Sequence, residues 1–206
     1  MNSSAAREAM TSEAPDVGAV LADAFIEDPV LSFLFPDADR RPALLAAFFA
    51  NRLAAGHHLD HVLVPDAPGV RAAAAVWEPP RQPDDKEPDL GPAVAALRAL
   101  LGDAWLVDRL VPLAAIKEAR PLTPHWYLAF IGTPATDRGR GLASALIAAV
   151  TGRCDAEGLS AYLESSDLAN VPLYERHGFR GTGEVVIPDG PVIPLMWRDP
   201  AVEPTR

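Results

Sequence analysis

The chain has 206 residues, of which 49% are hydrophobic and 22% are charged, a composition typical of a folded protein rather than of a disordered segment. Its length fits one domain over residues 1–206 better than two. The 28 acidic and 18 basic side chains give a formal net charge of -10. This charge argues against nucleic acid or an anionic membrane as a partner, because both bind basic surfaces.

The single cysteine excludes an intrachain disulfide and a cysteine-based zinc site. The N-terminal residues lack the apolar region of a secretory signal, and no apolar stretch approaches the length of a membrane span. We therefore expect a cytoplasmic protein without a membrane segment. The sequence leaves open whether it is a monomer or a homodimer.

Capping signals and helical periodicity predict three helices in the first part of the chain. Asp16 is placed to cap the first helix. Asp28 followed by Pro29 has the order of an N-cap and a first helical position in the second. Apolar residues from Leu44 to Leu53 recur at spacings of three and four, as in a third helix.

The remaining pattern predicts an α/β fold. The predicted strands span 61–64, 70–77, 125–132, 160–164, 179–187 and 192–198. The predicted later helices span 94–101, 105–111, 142–150 and 171–177. The proline-rich segment 79–88 is predicted to form a surface loop. The strand–helix–strand order over 125–164 indicates one crossover unit.

Two glycines, Gly139 and Gly141, lie between the strand at 125–132 and the helix that begins at Leu142. Without side chains, they let backbone N–H groups approach a phosphate at the positive end of the helix dipole. Arg138 and Arg140 add two full positive charges. The segment lacks the Gly-Lys-Ser/Thr of a phosphate-binding loop and the third glycine of a dinucleotide fingerprint. We predict a pyrophosphate-binding turn rather than a merely tight connection.

The segment Arg138–Ala143 resembles the Q/R-x-x-G-x-G/A signature of the GCN5-related N-acetyltransferases. The segments Tyr162–Ser166 and Asn170–Phe179 resemble a later strand of that family and its N-x-x-x-Y-x-x-x-G-F segment. The N-terminal half also resembles a branch that includes puromycin N-acetyltransferase. The segments that carry this second resemblance are Ala24-Phe25, Asp28-Pro29, Ala75–Pro80 and His125–Leu128.

The resemblance implies a mixed, mostly antiparallel sheet flanked by helices, with two central strands splayed around acetyl-CoA. Backbone N–H groups of Phe130–Thr133 would hold the oxyanion where the family's strand bulges, an irregularity that Gly132 suits. The implied cofactor contacts are Ile131, Gly132, Thr133, Arg138, Gly139, Arg140, Gly141, Leu142, Ala143, Asn170 and Tyr174. Asn170 serves equally well as a helix N-cap.

The reaction needs a proton donor for the departing thiolate and a group that accepts the amine proton. By its position in the N-x-x-x-Y segment, Tyr174 is the candidate general acid; its alternative role is a packed helix aromatic. Glu164, at the end of a strand, is the candidate base or else a strand-end ion pair, and His125 is a weaker candidate. The candidate substrate-binding residues are Phe25, Asp28, Trp77 and Trp126.

The favoured function is acetyl transfer from acetyl-CoA to a primary amine of a small molecule. The alternatives are acetylation of a protein or peptide and a non-catalytic acetyl-CoA sensor. The segment His57–His61 has a spacing compatible with a metal, but it follows a predicted helix end and reads better as a solvated loop, so we predict no metal site. Cys154 reads as a small buried hydrophobe.

Overall fold

A computed structural model of the chain describes residues 6–54, 62–66, 72–81 and 91–201. The histidines of the segment 57–61, the predicted turn at 67–69 and residues 82–88 of the proline-rich loop lie outside the described residues.

One seven-stranded sheet includes strands from both halves of the chain. The strands are β1 (Ala6–Glu8), β2 (Val62–Pro65), β3 (Ala74–Glu78), β4 (His125–Gly132), β5 (Ser160–Glu164), β6 (Arg180–Val186) and β7 (Val192–Arg198). Their order across the sheet is β1-β2-β3-β4-β5-β7-β6. Only the central β4–β5 pair is parallel, and the other five pairs are antiparallel. The predicted mixed, mostly antiparallel sheet is confirmed.

Helices cover both faces of this sheet. They are α1 (Ala14–Ala24), α2 (Pro29–Leu34), α3 (Arg41–Ala54), α4 (Gly91–Leu101), α5 (Asp103–Trp105), α6 (Ala114–Glu118), α7 (Leu142–Glu157) and α8 (Val171–Arg176). A π-helical turn and a 3-10 turn connect α5 to α6, so Asp103–Glu118 is helical throughout. Among the described residues, no helix combines the length and apolar character that crossing a membrane requires.

Two hydrophobic clusters lie on opposite faces of the sheet because side chains alternate along each strand. On one face, Ala75 and Trp77 of β3 join the buried stripe of α7. On the other face, Ala74 and Val76 join α1, α2 and α3. We call these the α7 face and the α1 face. Trp105 extends the second cluster over α2, since its indole N–H donates to the Leu34 carbonyl at 2.8 Å.

The beginnings of the first two helices show one wrong capping prediction and one confirmed. α1 begins at Ala14, so Asp16 lies in its first turn and is not its N-cap; its carboxylate favours the positive end of the helix dipole there. Asp28 is the N-cap of α2, as predicted. Its Oδ1 accepts a hydrogen bond from the Leu31 N–H at 2.9 Å, and Pro29 occupies the first helical position.

A bulge in β4 alters which side chains face the helices. Val76 of β3 lies opposite Phe130, whereas the next residue, Trp77, lies opposite Leu128. Ala129 is therefore the extra residue, and both Ala129 and Phe130 pack on the α1 face. The sequence analysis predicted the irregularity at Phe130–Thr133, around Gly132. In the structure it lies at Ala129, closer to the start of β4.

Candidate active site

The two central strands separate part-way along their length. β4 and β5 pair from His125–Ser160 to Tyr127–Tyr162, and beyond this point β4 continues to Gly132 while β5 ends at Glu164. β5 turns its other edge to β7, with Glu164 opposite Leu195. The backbone groups of the last β4 residues that face β5 therefore have no strand partner there. This opening places them beside the end of β5 and the start of α7.

The turn before α7 has the geometry that close approach of a ligand to the backbone requires. Gly139 and Gly141 adopt φ values of 77° and 76°, in the left-handed region that glycine tolerates best. A Cβ atom at either position would meet no heavy atom within 4 Å, so open space lies in front of both. The N-cap residue of this 16-residue helix is Gly141, and no side-chain capping hydrogen bond to it is seen among the described residues. The first-turn N–H groups are therefore open to an anion such as a pyrophosphate.

The two arginines of the turn differ in their contacts. The Arg138 guanidinium donates from Nε to the Thr133 carbonyl at 3.2 Å, which ties the turn to the end of β4. Arg140 forms an ion pair with Asp137, a residue that the sequence analysis did not single out. Asp137 thus offsets part of the positive charge predicted here, while both arginines stay exposed to solvent.

Gly132 has a packing role. A Cβ atom there would lie 2.7 Å from Cβ of Ala24 and 3.2 Å from the Phe25 ring. The end of β4 can approach α1 this closely only because residue 132 has no side chain. The neighbouring Thr133 hydroxyl is buried and has no hydrogen-bond partner among the described residues. The Thr133 hydroxyl, which lies beside the opening, is therefore available to form a hydrogen bond with a ligand.

Tyr174 lies on α8 and is 6% exposed. Burial, together with the nearby carboxylates of Asp28 and Asp167, raises the pKa of its phenol, which stays protonated at neutral pH. Asp28 is held in place by a hydrogen bond from the Ser166 hydroxyl, which connects the start of α2 to the loop after β5. The structure thus brings the candidate acid and one candidate substrate residue together.

Glu164 has a different environment. Its side chain is 6% exposed and forms an ion pair with Arg120, whose Nε lies 2.9 Å from Oε1. Arg120 also donates to the Tyr127 hydroxyl at 2.5 Å and lies 3.8 Å from the centre of that ring. Burial raises the pKa of Glu164, and Arg120 opposes the rise. Glu164 therefore forms the strand-end ion pair that the sequence analysis considered. Because the net pKa shift is upwards, its carboxylate is also more basic than that of an ordinary glutamate.

Asn170 lies between a 3-10 turn and α8, with its side chain exposed. Asn170 occupies the N-cap position of α8, as the sequence allowed, but its side chain makes no capping hydrogen bond. Asp167 instead caps the preceding turn by accepting from the Ala169 N–H at 2.9 Å. The Asn170 amide remains free to contact a ligand.

The four candidate substrate residues do not come together. Phe25 packs on the α1 face against Phe49 and Phe130, at centroid distances of 5.4 and 6.0 Å. Trp77 and Trp126 lie in the α7-face core and are only 2% and 3% exposed. This burial makes both tryptophans core residues, the more ordinary role for an aromatic side chain. Phe25 and Asp28 remain candidates.

The remaining sequence candidates take structural positions. His125 donates from Nδ1 to the Thr123 carbonyl at 2.6 Å and packs against Tyr162 and Trp197 at the start of β4. Cys154 is fully buried, and burial raises the pKa of its thiol to about 11, which makes it a poor nucleophile. Within 6–54, 62–66, 72–81 and 91–201, no group of three potential metal ligands is found.

A family model described as "Acetyltransferase (GNAT) domain" matches residues 102–196, which include β4, the glycine turn, α7, β5 and α8. The second half of the chain is therefore similar to a GNAT acetyltransferase domain. The family model, together with a relative named as an N-acetyltransferase, supports an acyltransferase enzyme. GNAT acetyltransferases use acetyl-CoA as co-substrate. The pyrophosphate turn expected from the sequence lies within the matched residues.

Known proteins resemble the acetyltransferase along nearly its whole length. An uncharacterized N-acetyltransferase of Schizosaccharomyces pombe is 29% identical over 212 residues, covering 97% of this chain and 85% of the relative. A structure described as histone acetyltransferase HPA2 and related acetyltransferase, from Corynebacterium glutamicum, has a TM-score of 0.74 at 24% identity and covers 98% of both chains. The Drosophila melanogaster polyamine N-acetyltransferase has a TM-score of 0.61 at 16% identity, covering 94% of this chain and 98% of that one.

Several polar residues of the acetyltransferase were missed by sequence reasoning. They are Arg52, Glu78, Arg120, Tyr127, Tyr162, Ser166 and Asp167. Tyr162 had a detectable signal, because it lies two residues before the candidate base Glu164 on one strand and therefore shares its face. Arg120 had none, because its contact with Glu164 joins residues 44 apart in the chain.

Proposed function

We propose that this acetyltransferase transfers the acetyl group of acetyl-CoA to a primary amine of a small molecule. The observation that carries the proposal is the opening between β4 and β5, which lies between the start of α7 and Glu164 at the end of β5. The buried Tyr174 on α8 adds a candidate proton donor. Acetyl-CoA supplies an activated acetyl thioester; the chain's own residues bind it, orient it and move protons.

The cofactor side of the opening is suited to the pyrophosphate. Gly139 and Gly141 leave room for close approach, and the N–H groups of Leu142 and Ala143 are open at the start of α7. Arg138 and Arg140 add charge at the rim. We propose that Ile131, Gly132 and Thr133 line the path of the pantetheine arm along β4, with the Asn170 amide on its other side.

Tyr174 is proposed to protonate the departing thiolate. Its raised pKa keeps the phenol in the donor form, and no described residue competes for its hydroxyl through a hydrogen bond. Glu164 is proposed to accept the amine proton, directly or through water. Burial brings its pKa closer to the neutral range that suits a general base.

The helices over the acceptor side favour a small substrate. Trp105 packs against Phe35 of the α2 segment, with the two rings stacked at 6.5 Å. The helical segment 103–118 therefore packs over α2 on the α1 face, which we take as the acceptor side. An extended peptide substrate would instead need an open groove there. The Drosophila polyamine enzyme and the resemblance of the N-terminal half to the puromycin N-acetyltransferase branch also support a small amine. We further propose that Phe25 and Asp28 line the acceptor site.

The decisive experiment combines calorimetry with a panel of acceptors. Acetyl-CoA should bind to the protein, and at least one small primary amine should release coenzyme A thiol in its presence. Preferential acetylation of peptides would favour the protein-acetylating alternative. Binding without turnover of any amine or peptide would favour the sensor.

A further inference from the structure

A group of charged and phenolic side chains lies where β4 and β5 begin to separate. We call it the basal cluster, and its members are Arg52, Glu78, Arg120, Tyr127, Tyr162 and Glu164. Tyr127 and Tyr162 are opposed across the parallel pair, with ring centroids 6.2 Å apart. Arg52 reaches the cluster from the last turn of α3, and Glu78 from the end of β3, opposite Tyr127.

The two arginines of the cluster differ in how well they are satisfied. Arg120 forms an ion pair with Glu164 at 2.9 Å and a hydrogen bond to the Tyr127 hydroxyl at 2.5 Å. Its guanidinium also lies 3.8 Å from the centre of the Tyr127 ring. The carboxylate that pairs with Arg52 is Glu78, and the N–O distance is 3.9 Å. That separation is too long for a hydrogen bond.

The Arg52 side chain is mostly buried, and its hydrogen-bonding capacity is not fully used. Its side chain is 21% exposed, and its guanidinium lies 5.4 Å from the centre of the Phe130 ring. Its Nε is buried and has no hydrogen-bond partner among the described residues. A buried donor without a partner destabilises the protein unless a ligand satisfies it.

This unused donor lies in a cluster that also holds the carboxylates of Glu78 and Glu164. A guanidinium is the side chain best matched to a carboxylate, through paired N–H···O bonds, and an aromatic ring beneath it keeps it flat. Glu164 and Glu78 complement an ammonium group. A cluster that contains both arginines and glutamates is complementary to a ligand that carries both a negative and a positive charge.

We propose that the acceptor is an amino acid or a similar amine that carries a carboxylate, which Arg52 binds while the amine faces Glu164. This inference rests on the proposed function and narrows its substrate class. Phe130 takes part through the Ala129 bulge, which turns its ring to the α1 face beneath the Arg52 guanidinium.

The test compares acceptors that differ only in the carboxylate. Phenylalanine, tyrosine, lysine, glycine and β-alanine would each be assayed against the corresponding carboxamide, with wild-type protein and with Arg52→Gln. For the preferred pair, Arg52→Gln should lower kcat/KM for the amino acid by about 10- to 100-fold, the value of one charge-assisted contact. The carboxamide should change by less than about threefold. Differences in amine reactivity cancel in this comparison.

Two further variants serve as controls. Arg52→Lys keeps the charge and should restore part of the loss. Arg81→Gln removes another arginine close to Glu78, at 3.7 Å, but one whose side chain is 46% exposed. It should affect the amino acid and the carboxamide equally. Thermal unfolding of each variant checks that the fold is intact.

A binding measurement separates this inference from the proposed transfer. Calorimetry of the same amino acids with coenzyme A present reports binding without turnover. Binding that depends on Arg52 without acetylation would support the carboxylate site and contradict the transfer. Acetylation with equal effects of Arg52→Gln on both members of a pair would overturn the carboxylate site alone. Absence of any Arg52-dependent binding or turnover would also overturn it.

Discussion

Tyr174 and Glu164 differ in the charges around them, and this difference separates their proposed roles. The carboxylates that raise the pKa of Tyr174 are Asp28 and Asp167, both negative. Glu164 instead lies against a guanidinium that lowers its pKa while burial raises it. One group is thereby kept protonated, and the other is a carboxylate of increased basicity.

Replacement of Tyr174 by phenylalanine tests the donor role. Tyr174→Phe removes one hydroxyl and keeps the ring that packs against Phe179 at 6.2 Å. If the phenol protonates the thiolate, kcat should fall by about 10²–10⁴-fold. The KM for acetyl-CoA should stay close to the wild-type value, as for a contact made in the transition state. Steady-state kinetics with undiminished kcat would reduce Tyr174 to a packed aromatic.

The pH profile tests the pair formed by Glu164 and Arg120. If Glu164 is the base, its deprotonated form is required, and kcat/KM should fall as the pH drops through the pKa of Glu164. Because Arg120 lowers that pKa, Arg120→Met should raise it and move the acidic limb upwards by about 1–3 pH units. Arg180→Met, which removes an exposed arginine paired with Asp199, should leave the limb in place. A limb that persists unchanged in Glu164→Gln would show that another group is the base.

At the scale of the elements, the end of β4 is shaped by its contact with α1. Gly132→Ala would place a Cβ atom 2.7 Å from that of Ala24, which cannot rotate away. We expect a loss of about 1–3 kcal/mol in the free energy of unfolding. Gly152→Ala, in the interior of α7 with nothing within 4 Å, should instead stabilise by about 0.5–1 kcal/mol. Urea unfolding measures both.

The glycine turn before α7 allows a sharper comparison, since α7 also ends on a left-handed glycine. Gly141 and Gly158 have φ values of 76° and 68°, and a methyl group added at either position would meet no neighbour within 4 Å. Alanine at either position should cost a similar conformational strain of about 1 kcal/mol. Only Gly141→Ala should weaken acetyl-CoA binding in calorimetry. Equal affinity in both variants would contradict the pyrophosphate site.

How far the sequence predicts these elements depends on whether the signal is local. The bounds of β4 and β5 and the glycine turn agree with the sequence analysis because apolar runs, glycines and helical periodicity are local patterns. The position of the bulge depends on the register against β3, and the burial of Trp77 depends on α7 packing over it. The contact of Ser166 with Asp28 joins residues 138 apart, which no local pattern encodes.

At the scale of the whole molecule, one carboxylate ties together several parts of the C-terminal half. Asp155 near the end of α7 accepts two hydrogen bonds from Arg198 of β7, at 2.8 and 2.7 Å, and one from the Ala201 N–H at 2.6 Å. Arg198 also donates to the His177 carbonyl after α8, at 2.8 Å. Both helices that border the cofactor opening are therefore fastened to the sheet through Arg198.

This arrangement predicts a pH-dependent contribution to stability. The hydrogen bonds from Arg198 lower the pKa of Asp155, so the ionised form is favoured in the folded state. Its stabilising contribution is present above the pKa of the unfolded chain, about 3.9, and is lost as the pH falls through the lower folded value. Asp155→Asn should therefore cost about 1–3 kcal/mol near neutral pH, and the difference from wild type should shrink below about pH 4.

Asp199 provides the matched comparison, because hydrogen bonds from Trp197 and Arg180 lower its pKa too. Its partner Arg180 is 60% exposed, whereas Arg198 is 11% exposed. Solvent screens the pair of Asp199 and Arg180, so Asp199→Asn should change stability much less than Asp155→Asn does at neutral pH. Urea unfolding of the three proteins from pH 3 to pH 8 measures this. A loss for Asp155→Asn as small as that for Asp199→Asn would mean that packing, and not the Arg198 contact, holds α7 and α8 against the sheet.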